Sequence, residues 1–451
     1  MSEVQEETLP PEDVERAVRL SYAQAMIGAI FAASTGGMFL IGYALKLGAT
    51  NAQIGLMSTV PMLCIVVQLF SAQLVERGVS RRKLTIASAV LNVLGWGLVI
   101  SLPYALAHAS RDARVMALIA VIALVTSFAY VSGNARASWV GDLIPAENRG
   151  MFFGRMTMYA GIIGAVFAIV EGKLLDHLKH LGIGAFNWLF SIGILFGLIH
   201  ASLFVPQSDV RTARHESGGK LWALVRETFT NRALMVLMIY TAIWSMQSIA
   251  GPFYATYLLR DLKMPFLGFG ILSGLATVTM LVSSPFWGRI VDRYGSKPVL
   301  VACTAVAAPV PLVWIWLSDL RVIYAVIPPI NLMMGFALAG VSVALSTLIY
   351  KVTPAAGRSV QFAVYSVTIL LLVSPLPAIG GHLPDWLSSL GIHSDLRCTF
   401  YASVLFLIGA AFAAHFIHEP DASAAAEMVQ NLPGHIRRPE TLVEPVDEAV
   451  S

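Results

Sequence analysis

Charge is scarce in this chain. Asp, Glu, Lys and Arg make up 13% of its 451 residues, against about 25% in an average soluble domain, while 57% are hydrophobic. An ordinary soluble enzyme is thereby disfavoured, and a lipid bilayer is the solvent the composition suits. An excess of one sign is missing too. Lys+Arg 30 against Asp+Glu 27 leaves a net charge of +3, and no basic run interleaves with aromatics, so nucleic acid is not expected as a partner. The three cysteines, Cys64, Cys303 and Cys398, each lie alone in an apolar block, which excludes a disulfide framework and any CxxC metal or redox site. No Gly-rich phosphate loop, HExxH motif, paired catalytic carboxylates or Ser/His/Asp set occurs, so neither enzymatic chemistry, a metal nor a cofactor is expected. The first twenty residues are polar and acidic and lack the basic start and cleavage site of a signal peptide; the first apolar run is therefore expected to be retained.

What is abundant is long apolar runs. Twelve are bounded by charges, at 22–46, 52–75, 84–106, 115–141, 151–172, 185–206, 232–259, 266–288, 298–318, 322–350, 359–381 and 397–417. Each matches the roughly 20 residues that cross about 30 Å of hydrocarbon as a helix. Helices are required because lipid offers no partner to an unpaired backbone group, and the alternation of a barrel strand is absent. The fold class expected is therefore all-α integral membrane, with segments at 1–20 (cytosolic), 21–206 (six helices), 207–231 (cytosolic linker), 232–418 (six helices) and 419–451 (a disordered cytosolic tail rich in Pro, Ala and Glu).

Basic residues orient the chain. With both termini in the cytosol, twenty of the 30 Lys and Arg fall on the cytosolic side, nine outside, and one, Arg136, within a span. The two halves also repeat weakly. Ile54-Gly55-Leu56-Met57-Ser58 in the second span aligns with Phe269-Gly270-Ile271-Leu272-Ser273 in the eighth, and Val75-Glu76-Arg77 with Val291-Asp292-Arg293. Asp142, Pro145 and Arg149 share their spacing with Lys351, Pro354 and Arg358.

The segment Gly288-Arg-Ile-Val-Asp292-Arg293-Tyr-Gly295-Ser-Lys297-Pro298 closely resembles the GxxxDRxGRK signature of the major facilitator superfamily. A degenerate copy, ending Glu76-Arg77-Gly-Val-Ser-Arg81-Arg82-Lys83, follows the second span. The resemblance implies two pseudo-symmetric six-helix bundles around a cavity that opens alternately to each side, in a monomer. It also implies a latch: the first-half loop bonds an acid at the cytosolic end of the fourth span, where Asp142 stands. A carboxylate at a helix end beside an arginine, with Gly295 in a tight turn, suits such pairing. In the second half Lys351 takes the place of the acid.

The same resemblance lines the cavity with the first, fourth, seventh and tenth spans, and helical phase selects their faces. In the seventh, Tyr240, Trp244, Gln247, Gly251 and Tyr254 recur at one-face spacing. The fourth offers Ser127, Tyr130, Asn134 and Ser138, the tenth Asn331, Gly335, Ser342 and Ser346. Ser34 and Thr35 in the first would complete the ring, although hydroxyls in membrane helices often bond their own backbone. Arg136 is nine residues from Ser127, two and a half turns, and so points away from that stripe, within reach of Asp142; a structural charge is expected. His200 and His415 read as satisfied core histidines. No acid is expected mid-span: Glu171, about 30 Å along its helix from Met151, should sit near the outer face, though a proton could load on it or on Asp142. Gly251-Pro252, Ser284-Pro285, Pro328-Pro329 and Ser374-Pro375-Leu376-Pro377 are candidate hinges.

The function expected is a secondary transporter in the plasma (cytoplasmic or inner) membrane, moving a small neutral or amphipathic organic solute by rocking two bundles. A non-transporting relative acting as a membrane sensor or assembly partner is the alternative.

Overall fold

A computed structural model describes residues 11–76, 79–143, 149–207, 221–353, 358–392 and 395–419. Ten helical stretches in it are long and apolar enough to cross a bilayer, and two shorter ones, Asn51–Val66 and Cys398–Ala414, complete twelve spans. All described regular structure is helical. The large residues left exposed are apolar, among them Val282 (69%), Leu405 (69%) and Phe412 (67%), as expected where the solvent is lipid.

Spans 3, 4, 5, 6, 8, 10 and 12 are single helices: Arg81–Ala105, Arg111–Leu143, Arg149–His177, Ile183–Ser202, Phe266–Tyr294, Leu320–Val352 and Cys398–Ala414. The others are interrupted. Span 1 runs Pro11–Thr35, breaks at Gly36, and resumes Gly37–Leu47, with Gly37 at φ +52°, a region glycine enters without steric cost. Span 2 joins Asn51–Leu63 to Val67–Glu76 through a 3₁₀ turn at Cys64–Val66. Span 7 begins as Arg232–Ser245, tightens to 3₁₀ at Met246–Ala250, continues Gly251–Thr256 and ends as a π turn at Tyr257–Asp261. Span 9 is Ser296–Ala307 with Val310–Trp316, and span 11 is Arg358–Val373 with Leu376–Ser389. Of the four expected proline hinges, Gly251-Pro252 and Ser374-Pro375 coincide with breaks. Pro285, Pro328 and Pro329 lie inside uninterrupted helices, which is a correction: neighbouring spans hold the helix where the proline removes a bond. The linker is not wholly irregular, since Leu221–Thr230 forms a helix packed on spans 7 and 11.

Side chains set the helix ends. Thr50 and Gln53 form a reciprocal capping box at the start of span 2; Ser80, Asn231 and Asp319 accept from backbone N–H groups at the starts of spans 3, 7 and 10. Asn231 also donates to the Val352 carbonyl at 3.0 Å, tying the start of span 7 to the end of span 10. Span 1 packs chiefly on spans 5 and 6 in the N-terminal bundle, as span 7 packs chiefly on spans 11 and 12 in the C-terminal one.

Candidate functional site

The two bundles meet along two seams, span 5 against span 8 and span 2 against span 11, and both seams belong to the face opposite the chain termini. Small residues let backbones touch there. A Cβ on Gly55 would collide with the Pro377 carbonyl oxygen, and one on Gly381 with that of Asn51. A Cβ on Gly172 would come within 2.7 Å of the Phe266 carbonyl oxygen, and one on Gly270 within 2.8 Å of that of Ala168. Gly55 and Gly270 are the aligned glycines of the internal repeat, so each half contributes its copy to a different seam.

Polar groups fasten these contacts. Asp176, near the end of span 5, accepts from the backbone N–H groups of Phe266 and Leu267 at 2.9 and 2.8 Å, so a carboxylate of one bundle caps the first turn of span 8 in the other. Thr59 Oγ1 accepts from the Ala378 N–H at 3.1 Å, and Arg260 donates to Asn51 Oδ1 at 2.7 Å. Phe266 packs between Phe39 and Phe186 of the N-terminal bundle.

Toward the termini the bundles part. Among the described residues, no hydrogen bond or ion pair joins them there. The inner half of span 2, Val67–Glu76, packs chiefly on span 4 of its own bundle and leaves Phe70 62% exposed, whereas Ile54 and Thr59 in the outer half are buried. The arrangement is closed at one face and open at the other.

The residues expected to line the cavity are mostly turned into their own bundles. Ser34 and Thr35 are buried and bond the carbonyls of Ile30 and Phe31 at 2.9 and 2.6 Å. Tyr240 is fully buried and its hydroxyl meets Thr304 Oγ1 of span 9 at 2.7 Å; Trp244 is buried too. Tyr254 stacks on Phe400 of span 12 with ring centres 4.6 Å apart. The expected single stripe on span 7 is therefore corrected: the 3₁₀ turn at Met246–Ala250 changes the angle per residue, and a 3.6-residue period does not carry across it. Gln247 is half-buried, donating to the Trp244 carbonyl at 3.1 Å while its own carbonyl accepts from Ser403.

On span 4, half-buried Ser127 bonds the Ala123 carbonyl, and Asn134 Nδ2 lies 3.3 Å from Ser71 Oγ, so the lower part of that stripe faces span 2. Tyr130 stays half-buried; the side chain of Ser138 lies outside the described residues. Asn331 donates to the Leu272 carbonyl of span 8 at 2.7 Å, while Ser342 and Ser346 on the same helix are exposed. Arg136 has its guanidinium over the Phe204 ring at 5.8 Å and one nitrogen 3.6 Å from the Met156 sulfur, turned into the bundle as phase implied. His200 Nδ1 is 2.8 Å from the Gln24 carbonyl oxygen.

The latch residues divide. Glu76 ends span 2 and Asp142 lies at the end of span 4, but their side chains, and Arg77 altogether, fall outside the described residues. Arg81 opens span 3. In the second half Asp292 and Arg293 are exposed, Gly288 lies one turn earlier, and Gly295 turns the chain at φ +91°. The acid there comes from beyond span 12. Glu419 accepts from the Lys297 N–H at 2.8 Å and pairs with Lys351 Nζ at 2.7 Å, with its side chain only 4% exposed. Sequence reasoning had assigned Glu419 to the tail and set Lys351 where the first half has its acid.

It had also placed Glu171 near the outer face, and Gly172 beside it does meet Phe266 at the outer start of span 8; what sequence reasoning missed is how fully the carboxyl is buried. Glu171 is 2% exposed and its Oε1 is in hydrogen-bond contact with Ser34, midway along span 1. The Cα–Cβ bond leans toward a helix's N-terminus, which on span 5 points back into the membrane. The seam residues Asp176, Thr59, Asn51 and Arg260 were missed as well. Their signal was the spacing of small residues, Gly161, Ala165, Ala168 and Gly172 on span 5 against Gly270 and Gly274 on span 8, the pattern that lets membrane helices approach closely.

The Major Facilitator Superfamily family model matches residues 20–254 and again 238–440. The fold resembles the crystal structure of the nucleoside transporter NupG at TM-score 0.68 and 13% identity, covering 89% of this chain and 98% of that one. It resembles a bacterial homologue of the iron transporter ferroportin, inward-facing, at TM-score 0.66 and 14% identity, covering 88% and 98%. A bacterial homologue of the human lysosomal transporter Spinster, inward-facing and unoccupied, matches at TM-score 0.64 and 13% identity, covering 94% and 99%. No curated protein matches the sequence. With both halves of the chain covered by one family model and twelve spans arranged as two bundles, this protein belongs to the major facilitator superfamily.

Proposed function

We propose that the chain is a secondary transporter of a small neutral or amphipathic organic solute, working by alternating access with both termini in the cytosol. The observation that carries it is the one-sided closure: Asp176, Gly55 and Gly172 seal one face, while Val67–Glu76, on the same span as Gly55, packs chiefly on span 4 of its own bundle. With the termini inside, as the asymmetry of basic residues favours, the arrangement is inward-facing.

The solute class follows from the residues at mid-depth. Arg136 is the one Lys, Arg, Asp or Glu within spans 4, 7 and 10 away from their ends, and it is turned toward Phe204. The half-buried polar groups, Ser127, Tyr130, Asn134, Gln247 and Asn331, are those we keep for solute; Ser34, Thr35, Tyr240 and Trp244 act behind them as packing. Uncharged amides, hydroxyls and rings bind by placed hydrogen bonds and stacking, without the basic groups a strong anion demands. At the cytosolic ends, Glu76, Arg77, Arg81, Asp142, Asp292, Arg293 and Lys297 serve as the latch of the opposite, outward-facing state, which explains the exposure of Asp292 and Arg293 in this one.

Solute counterflow in proteoliposomes tests the reading, after a thermal-shift screen of neutral organic solutes on purified protein. Saturable exchange of a stabilising solute is expected. A solute that binds tightly yet never exchanges would make the protein a sensor instead.

A further inference from the structure

A serine hydroxyl has one proton to donate, and Ser34 faces two acceptors. Its oxygen is 2.9 Å from the Ile30 carbonyl and in hydrogen-bond contact with Glu171 Oε1. If Ser34 donates to Ile30, the contact with Glu171 needs a second proton, and that proton must sit on the carboxyl. The other carboxyl oxygen, Oε2, is buried with no hydrogen-bond partner. An ionised carboxylate would leave a charge there without a donor, whereas a neutral acid leaves only a carbonyl-type oxygen unpaired.

Nothing nearby offsets a charge. Span 5 packs against spans 1, 6 and 8. Span 8 has no ionisable side chain between Phe266 and Trp287, span 6 has only His200, turned to Gln24, and span 1 has none between Tyr22 and Tyr43. On span 5 itself the neighbours are Lys173, Asp176 and His177 toward the outer end, and Asp176 is engaged by the backbone of span 8. None forms an ion pair with Glu171 among the described residues.

Span 5 links this carboxyl to the seam. Glu171 faces span 1, while Gly172, next in sequence, meets the backbone of Phe266, and Asp176 caps the same turn. We propose that Glu171 is a proton-binding site, loaded while the outer seam is closed and unloaded to outside water when the seam opens, so that transport is proton-coupled. The step is a simple acid dissociation: the Glu171 O–H bond breaks, the proton passes to a water molecule entering between spans 5 and 8, and Ser34 is left to donate either to Ile30 or to the carboxylate. By linkage, raising the pH must then favour the seam-open state. The proposal rests on the alternating-access reading and names its coupling ion.

Two measurements on wild type, Glu171→Gln and Ser34→Ala in liposomes need no identified solute. Infrared spectra should contain a protonated-carboxyl C=O band that titrates away as pH rises, is missing in Glu171→Gln, and is displaced in Ser34→Ala, where the acid keeps its place but loses the hydroxyl. Spin labels at Lys179→Cys and Arg321→Cys, on the outer ends of the two bundles, should separate as pH rises in wild type and stay close at every pH in Glu171→Gln. A band unaffected by either substitution, a band that never titrates, or label distances independent of pH in wild type would each overturn the proposal. If counterflow fails for every solute while the band titrates as described, the transport reading falls and the proton site stands; the converse result removes only the site.

Discussion

The outer and inner halves of span 2 are built from the same kinds of residue yet have opposite fates. In Asn51–Leu63, Gly55 and Thr59 bring the backbone of span 11 into contact, and Ile54 is fully buried. In Val67–Glu76, Ser71 turns to span 4 of its own bundle, and Phe70 and Leu74 remain exposed, as do Leu63 and Val66 just before that stretch. Closure is therefore a matter of backbone approach licensed by glycine, not of greater hydrophobicity. The repeat extends the lesson, because Gly270 does on span 8 what Gly55 does on span 2.

The comparison breaks most completely at its glycines. Gly55→Leu sets a side chain against the Pro377 carbonyl, which cannot move as a flexible chain end would. Overpacking of about 3 kcal/mol should shift the population roughly a hundredfold toward an open outer face, read as reactivity of a cysteine at Thr59 toward an impermeant reagent.

Asp176→Ala comes next. It leaves the first turn of span 8 without its carboxylate cap, at a cost of about 1.5 to 3 kcal/mol to the closed state. The same labelling assay should rise by roughly tenfold or more, and an unchanged rate would make the cap incidental.

Glu419→Gln sharpens the contrast from the other side. Its bonds to Lys297 and Lys351 lie within one bundle, so about 1 kcal/mol should be lost from thermal stability with no change in the balance of the two faces. A shift in face accessibility would show that the bridge belongs to the gate. Arg260→Ala should have the smallest effect, about 0.5 kcal/mol or less, because its partner Asn51 is reached at an exposed rim where water competes.

Much of the architecture was legible in the sequence. Run lengths, basic asymmetry and the Gly288–Lys297 signature suffice for span number and family, because hydrocarbon thickness and the positive-inside rule act on single residues. The site was far less legible. Phase arguments assume one angular step per residue, and the 3₁₀ turn at Met246–Ala250 violates it, so the positions of Tyr240 and Trp244 before it do not carry over to Gly251 and Tyr254 after it. Arg136, on an unbroken helix, kept the direction its phase implied. Asn134 and Asn331 found partners on neighbouring spans, since a buried amide is stabilised by any acceptor within reach, and sequence does not rank a cavity above a neighbouring helix. Glu171 was legible as a place where a proton could load, but its burial against Ser34 was not, because that depends on how span 1 packs on span 5 rather than on either helix alone.

Distances between paired spin labels at the two faces of one protein test the central claim most directly: Lys179→Cys with Arg321→Cys on the outer face, and Lys83→Cys with Arg289→Cys on the inner. Introducing Gly55→Leu should lengthen the outer distance and shorten the inner one together, since closing one face requires opening the other. Distances that both lengthen, or an inner distance that ignores the outer change, would contradict an alternating pair of faces.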